Sequence, residues 1–513
     1  MRFGRSAPAC SDGPPRPKSI RALRDFGPVR FGRSAPACSD GLVPRSGDGE
    51  SLVRSIVGAG AEWDIAGMAV GCDSETRAVV VGGSLTGLMA TAILARHFGQ
   101  VTLVERDALP ESPETRKGVP QARHVHVLLK QGERILAELF PGLVEELVAA
   151  GATTIDMARD TRWFYFGAWK ARFTSDVVFL SQSRSFLEWQ VRRRLSALPN
   201  VTIRPATDVR GLVLDEARRV RGVRLAGQDA PLSADLVVDA TGRVSRATTW
   251  LPDAGLAAPR ESTVSVAVGY ASRLYRRPPG ALADWKALFV YPRPPGTRLG
   301  VMVPVEDDRW MVTLVGWFGD HPPDDEDGFL AFAQSLPVPD FHAAIRDAEP
   351  LGPIVLHKFP ANLRRHYEEL ATMPDGLAVI GDALCSFNPI YGQGMTTGAI
   401  GAHTLGVTLA AHGTRDLAGF SRDFQRRLGA LIDSPWLLTT CEDLRSDAAE
   451  GERPAWMPLL HWYTRRVQQL TWHDEFVGKR FLEVMHLTKS PAALFHPYIL
   501  LRALTARTMP EAA

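Results

Sequence analysis

The chain has 513 residues, 45% hydrophobic and 23% charged, a globular balance that excludes fibrous and intrinsically disordered architectures. Lys and Arg total 59 against 57 Asp and Glu, a formal net charge of +2, so no nucleic-acid partner is expected. At roughly 100 to 200 residues per domain, the length allows several domains with clefts between them.

Cys10, Cys38, Cys72, Cys385 and Cys441 lack CxxC spacing, which points to a reducing compartment and a cytoplasmic location. No apolar run reaches the roughly 18 residues of a membrane span, and the N-terminus shows no apolar core of a secretory signal, so no integral membrane segment is expected. Residues 1–75 open on a direct repeat, RFGRSAPACSDG at 2–13 and again at 30–41, set among Pro, Gly, Ser and Arg. A tandem binding arm is one reading; a poorly ordered or extraneous leader is the favoured one, because so little of it can be buried. Gly58-Ala59-Gly60 mimics a nucleotide loop but lacks the third glycine and a preceding strand.

Folded protein is expected from Thr76. Arg77-Ala78-Val79-Val80-Val81 reads as a buried strand, Gly82-Gly83-Ser84-Leu85-Thr86-Gly87 as a glycine turn, and Leu88 to Ala95 as a helix. The next strand, Val101 to Val104, ends in Glu105, 23 residues after Gly82 (105 − 82), near the spacing of a ribose-binding carboxylate. An acid there accepts from a ribose hydroxyl and repels a 2′-phosphate, which favours FAD or NAD over NADP as the bound dinucleotide. Ser84 replaces the middle glycine of the fingerprint.

His124 and His126 alternate along Arg123 to Val127; a metal pair and a structural or cofactor-adjacent role are both conceivable, and no metal is expected because no third ligand is near. A hairpin follows around Leu212 to Leu214 and Val220 to Leu225, then strand Leu236 to Val238 runs into the small-residue turn Asp239-Ala240-Thr241-Gly242. Alternating strands fill 264–357: Val264 to Tyr270, Ala287 to Tyr291, Leu299 to Val305 and Trp310 to Trp317. Phe289, Tyr291, Trp310, Trp317 and Phe318 are either plain core or the lining of an apolar pocket. Leu377 to Ile380 leads into Gly381-Asp382, then Pro389-Ile390-Tyr391-Gly392-Gln393-Gly394-Met395-Thr396 and a small-residue helix through Ala411. Cys385 reads as a small buried residue rather than a covalent cofactor anchor. Leu417 to Leu504 reads as helices, with Leu494 to Leu504 either capping the core or lying at a membrane interface.

Three ordered motifs, the glycine loop with Glu105, the Asp239 to Gly242 turn, and Gly381-Asp382 with Pro389-x-x-Gly392-x-Gly394-Met395-Thr396, resemble the FAD-dependent monooxygenases of the aromatic hydroxylase and squalene epoxidase superfamily. Arg116-Lys117-Gly118-Val119-Pro120-Gln121-Ala122-Arg123-His124-x-His126 and Ser183-Arg184-x-x-Leu187 are similar to bacterial flavin epoxidases of polyketide (polyether) biosynthesis. The resemblance implies an α/β fold: a Rossmann-like FAD-binding domain of glutathione-reductase type at 76–260 plus 358–412, an inserted β-sheet substrate domain at 261–357, and a C-terminal helical region at 413–513. It implies a cofactor-binding set of Gly82, Gly83, Ser84, Leu85, Thr86, Gly87, Glu105, Arg106, Arg116, Arg123, Arg184, Asp239, Gly242, Gly381, Asp382, Pro389, Gly392, Gly394, Met395 and Thr396. Within it Asp382 would accept from ribityl hydroxyls, the arginines would sit near the phosphates, and the helix opening at Gly392 would face the part of the flavin that gains charge on reduction.

The implied reaction uses NADPH or NADH and O2 to form a flavin C4a-hydroperoxide and epoxidise or hydroxylate a hydrophobic small molecule, a polyketide or isoprenoid-like alkene being favoured. The flavin carries the oxygen, so no catalytic side chain is assigned. A halogenase would share these loops, but that family's Trp-x-Trp-x-Ile-Pro segment is absent. A flavin-dependent reductase or a non-catalytic FAD-binding protein would share them as well.

Overall fold

A computed structural model describes residues 74–281 and 283–506. The direct repeat, the Gly58 to Trp63 segment and Cys10, Cys38 and Cys72 lie outside these residues.

Strands Arg77–Val81 and Gln100–Val104 pair in parallel, and helix Leu85–Leu94 makes the crossover between them. Arg77–Val81 is apolar without alternation because it is the centre of a five-stranded parallel sheet buried on both faces. The strand order is Leu377–Val379, Leu236–Asp239, Arg77–Val81, Gln100–Val104, Val201–Arg204, and every pairing is parallel. This geometry decides the rest. Parallel strands end together, so the glycine loop, Glu105, the Asp239 to Gly242 turn and Gly381-Asp382 all emerge at the carboxyl edge of one sheet.

Helix Gln393–His412 shows no clear apolar stripe because it is buried on more than one side. Its small residues permit the close approach: a Cβ added to Gly398 would stand 2.1 Å from Thr86 Oγ1 on helix Leu85–Leu94.

The second sheet has eight strands, in the order Cys385–Ser386, Val355–His366, Arg260–Arg276, Arg309–Gly316, Arg298–Val305, Ala287–Val290, Thr161–Tyr165, Ala168–Trp169. It reaches beyond 261–357, because Thr161–Tyr165 adds in parallel to Ala287–Val290 and Cys385–Ser386 adds at the opposite edge. Side chains alternate between its faces. Leu288, Val290, Met302, Trp310, Val312 and Leu314 pack under helices Glu326–Gln334 and Asp340–Ile345, which interrupt the run of strands expected across 264–357. Their signal is present in Phe329, Phe332, Ala333 and Leu336, a helical spacing inside a strand-rich stretch. The other face, with Trp163, Phe289 and Val303, meets the C-terminal helices Met457–Leu470, Glu475–Met485 and Pro497–Thr505. Ile499 and Ala503 of the last helix are buried there, while Leu501 and Leu504 stay exposed. Among the described residues no helix is long and apolar enough to cross a membrane.

Candidate functional site

At the carboxyl edge of the parallel sheet a crevice of about 640 Å3 is bounded by Gly82, Ser84, Glu105, Arg106, Arg116 and Thr241. Gly82 has φ of +103°, and a Cβ there would lie 2.5 Å from Ala240 O, so only glycine makes this turn. Glu105 accepts from Gly83 N at 2.7 Å and Asp107 N at 2.9 Å, and pairs with Arg116 Nη1 at 3.2 Å. A carboxylate has about four acceptor positions, so capacity for a further donor remains. Arg116 also reaches Glu188 at 2.9 Å and Asp107 at 3.0 Å, and its buried Nη2 has no partner among the described residues.

Ser84, the departure from the glycine fingerprint, has a definite task. Its Oγ accepts from Arg184 Nη2 at 2.6 Å and donates to Glu188 at 3.2 Å, joining the glycine loop to the helix Arg184–Ser196. Arg184 is buried, with Nη1 3.0 Å from Met395 Sδ. The loop, both arginines and the start of helix Gln393–His412 therefore form one connected cluster.

Other expected residues act by shaping. Leu85 is fully buried in the core. Thr86 fills the space between Gly381 and Gly398. Asp239 is buried and bonds within its own turn, to Thr241 N at 3.0 Å, Thr241 Oγ1 at 2.6 Å and Ser245 Oγ at 2.6 Å, which leads the chain into Gly242. Thr396 Oγ1 accepts from Leu129 N at 3.1 Å. Arg106 is exposed at the crevice rim. Arg123 is exposed on a one-turn helix, bonds Thr115, and lines neither the crevice nor the cavity described below.

Asp382 accepts no hydrogen bond from the described residues and lies close to Gly394, whose added Cβ would be 3.4 Å from Oδ1. Burial raises its carboxyl to about 6 against the opposing pull of Arg243 and Arg184. Gly392, at φ +66°, caps helix Gln393–His412, whose first amides carry the positive end of the helix dipole. The preceding turn, Pro389–Tyr391, is fixed by residues that sequence reasoning did not single out. Asp443 accepts from Asn362 at 2.7 Å, Asn388 at 3.0 Å and Tyr391 at 2.9 Å, while Asn388 N donates to Asn362 at 2.6 Å and Tyr270 donates to Asn388 at 3.0 Å. Burial raises Asp443 to about 6 against these donors.

Beyond Gly392 an apolar cavity with an empty volume of about 880 Å3 opens between the eight-stranded sheet and the C-terminal helices. Trp163, Tyr270, Phe289, Tyr291 and Ile390 form much of its wall. Of the expected pocket aromatics, Phe289 and Tyr291 are here. Trp317 and Phe318 line a separate hollow that shares Tyr291, Ile390 and Tyr391 with this cavity. Trp310 is on the opposite face of the sheet, stacked on Trp285 at 5.8 Å, because strand alternation turns Met311 and Thr313 the other way.

His124, His126, His357 and His486 also line the cavity. Burial lowers His124 to about 3, His126 to about 4 and His486 to about 3, so these rings are neutral at neutral pH. His124 Nδ1 bonds Ser272 at 2.7 Å, whereas His126 Nδ1 bonds the His124 carbonyl at 2.9 Å, so the two rings turn to separate partners. Cys385 is buried, and burial holds its thiol well above the ordinary range.

This arrangement fits an FAD. The orphaned Arg116 Nη2 and the Glu105 carboxylate suit the phosphate and ribose, the unbonded Asp382 suits ribityl hydroxyls, and the Gly392 helix start suits an anionic ring.

Residues 75–418 match the FAD binding domain family. The chain is 36% identical over 427 residues to Protein Rv3254 of Mycobacterium tuberculosis, covering 79% of this chain and 86% of that protein. Among solved structures, the fold is similar to the flavin-dependent brominase Bmp2, with a TM-score of 0.57 and 14% identity over 84% of this chain and 100% of that one. It is also similar to PqsL, a probable FAD-dependent monooxygenase from Pseudomonas aeruginosa, with a TM-score of 0.54 and 17% identity over 73% of this chain and 97% of that one.

Proposed function

The chain belongs to the FAD binding domain family, and from that premise we propose that it is an FAD-dependent monooxygenase of the cytoplasm that epoxidises or hydroxylates a hydrophobic small molecule, with NADPH or NADH as reductant. The observation that carries this reading is the start of helix Gln393–His412, where Met395 is joined through Arg184 and Ser84 to the glycine loop while Gly392 lies in the wall of the apolar cavity. Bound FAD supplies the oxygen-activating chemistry.

The chain's own residues hold, orient and enclose. Glu105 and Arg116 fix the dinucleotide end, and Asp382 accepts from the ribityl chain. The Asn362, Asn388 and Asp443 network keeps the Pro389–Tyr391 turn rigid, so the amides that follow Gly392 present a fixed positive potential where reduction places negative charge. Trp163, Phe289 and Tyr291 would keep water out of the chamber in which a bound FAD would meet its substrate. Segments 76–260 and 358–412 carry the cofactor crevice and, with 261–357, also supply the cavity wall, to which Met485 and His486 add from the C-terminal region. A polyketide or isoprenoid-like alkene suits the size and apolarity of that cavity.

The test is the visible spectrum of the purified protein with FAD, before and after NADPH or NADH in air. Bound FAD that bleaches and recovers with O2 uptake supports the reading. Protein that neither carries nor takes up FAD overturns it, and turnover that depends on added bromide with brominated product makes the protein a halogenase instead.

A further inference from the structure

The layer of C-terminal helices has two unlike faces. On the inner face, Tyr463, Val467 and Leu470 of Met457–Leu470 and Ile499 and Ala503 of Pro497–Thr505 are buried in the core shared with Trp163, Phe289 and Val303. The outer face has no such cover among the described residues. Trp456, Leu459 and Trp462 are exposed at three-residue steps, and Tyr498, Leu501 and Leu504 repeat that spacing, so each trio shares one side of its helix. Phe476 and Phe495 are exposed as well. Eight of the twelve large hydrophobic side chains exposed among the described residues therefore fall between Trp456 and Leu504. Exposed apolar side chains are ordinarily scattered singly, and such a concentration marks an interaction surface.

The elements that carry these side chains touch one another. Tyr463 stacks on Phe495 with ring centroids 4.9 Å apart, Phe476 meets Tyr498 edge-on at 5.3 Å, and Arg466 Nη1 donates to Ala506 O at 2.8 Å.

Charge decides what the surface fits. Residues 453–506 hold seven Arg and Lys against three Asp and Glu, a net charge of +4 in a chain whose total is +2. Asp474 is buried, and Glu483 is engaged by Arg480 at 2.7 Å and Lys489 at 3.5 Å, which leaves Glu475 as the one exposed carboxylate of this stretch. Three of the cations lie over exposed rings: Arg466 is 5.8 Å from the Trp462 centroid, Arg480 5.3 Å from that of Phe476 and Arg502 5.8 Å from that of Tyr498. Positive charge and apolar surface are thus interleaved rather than separated. A second copy meeting this face with its own would bring like charges together. A layer of anionic phosphates over acyl chains satisfies both components at once.

We propose that this face docks the protein on the surface of an anionic lipid bilayer, lying among the headgroups without crossing the membrane. Leu459, Leu501 and Leu504 enter the acyl boundary, the Trp, Tyr and Phe rings sit at headgroup level, and the arginines and lysines meet lipid phosphates. This inference goes beyond the monooxygenase reading and does not rest on it.

Co-sedimentation of the full chain with vesicles tests it, using pure phosphatidylcholine or phosphatidylcholine with about one third phosphatidylglycerol. Binding to the anionic vesicles is expected to be about tenfold tighter, and to weaken several-fold when salt is raised from about 0.1 to about 0.5 M. Leu501→Ser combined with Leu504→Ser is expected to weaken it about tenfold with thermal unfolding unchanged, since both side chains are exposed. Arg466→Gln combined with Arg480→Gln is expected to remove most of the preference for anionic lipid. Vesicles with brominated acyl chains are expected to quench tryptophan emission, and Trp462→Phe to lose part of that quenching. Absence of binding, equal binding to both vesicles, binding that the leucine variant leaves intact, or a dimer in solution that the leucine variant dissociates overturns the proposal. FAD content is read on the same samples, so failure here leaves the monooxygenase reading standing.

Discussion

Around the glycine loop, Arg116 meets Glu105, Asp107 and Glu188 within 3.2 Å, whereas the cavity beyond Gly392 is walled by apolar side chains and by histidines whose charge burial suppresses. The first region binds by a preset pattern of charges in which each member compensates the others. The second binds by shape, and its residues are individually replaceable. On the proposed reading, cofactor and substrate would impose different tolerances on the two regions: a charge network fails as a unit, while a greasy wall degrades by increments.

The contrast can be broken most directly at Arg116. Arg116→Met leaves three carboxylates without their shared cation, and breaking a buried pair in this way costs about 3 to 5 kcal/mol. Denaturant unfolding should show that loss together with a loss of bound FAD; a change of a few tenths would mean the network behaves like exposed ion pairs. Next is Gly398→Ala, which places a methyl group against Thr86 and should cost about 1 to 3 kcal/mol by overpacking. Adding Thr86→Ala should recover most of it, and strictly additive effects in that double-mutant cycle would rule the contact out.

Asp382 gives an effect of about 1.4 kcal/mol per pH unit. Its folded carboxyl titrates near 6, above the ordinary carboxylate value, so the ionised form is disfavoured in the flavin-free fold. Its cost to stability is present above pH 6 and is relieved as pH falls toward 4, near where the unfolded carboxyl titrates. Ribityl donors favour the ionised form, so FAD affinity should fall over the same range while the flavin-free protein gains stability. Fluorescence titration with FAD from pH 7.5 to 5 and thermal unfolding without FAD read the two slopes; Asp382→Asn should flatten both. The smallest effect belongs to the cavity wall. Val301→Ala, on its partly buried side, should cost about 1 kcal/mol and shift preference toward bulkier substrates without changing FAD content, measured by unfolding and by competition between substrates of two sizes.

The same contrast governs what the sequence discloses. The parallel sheet was legible because Arg77–Val81, Gln100–Val104, Leu236–Asp239 and Leu377–Val379 are mostly apolar, Val- and Leu-rich runs that each end in a small or acidic turn. Parallel pairing carries those turns to one edge, so motifs far apart in sequence stay local in meaning. The cavity has no such run. Its wall is every second residue of several strands, plus two one-turn helices and the end of one C-terminal helix, and alternation alone put Trp310 on the wrong side and Tyr270 on the right one. Asp443 was hidden for a related reason: Asn362, Asn388 and Tyr391 lie 81, 55 and 52 residues away, and nothing in the sequence around Asp443 hints at them. Ser84 looked like a defect in the loop because its partner, Arg184, is brought near only by tertiary packing.

The sheet that carries the cavity cannot be finished early. Thr161–Tyr165 must wait for Ala287–Val290 before it gains its parallel neighbour, and the face they share is covered only when Met457–Leu470 and Glu475–Met485 arrive. On the ribosome, a greasy surface is therefore exposed until synthesis is nearly complete, the circumstance in which nascent chains aggregate or engage chaperones. Closing that surface demands contacts between segments hundreds of positions apart, a high contact order that slows folding. A chain cut short after the long glycine-rich helix would carry every recognisable motif and still have no chamber, so yields of soluble protein should depend on the last hundred residues more than on the motifs themselves.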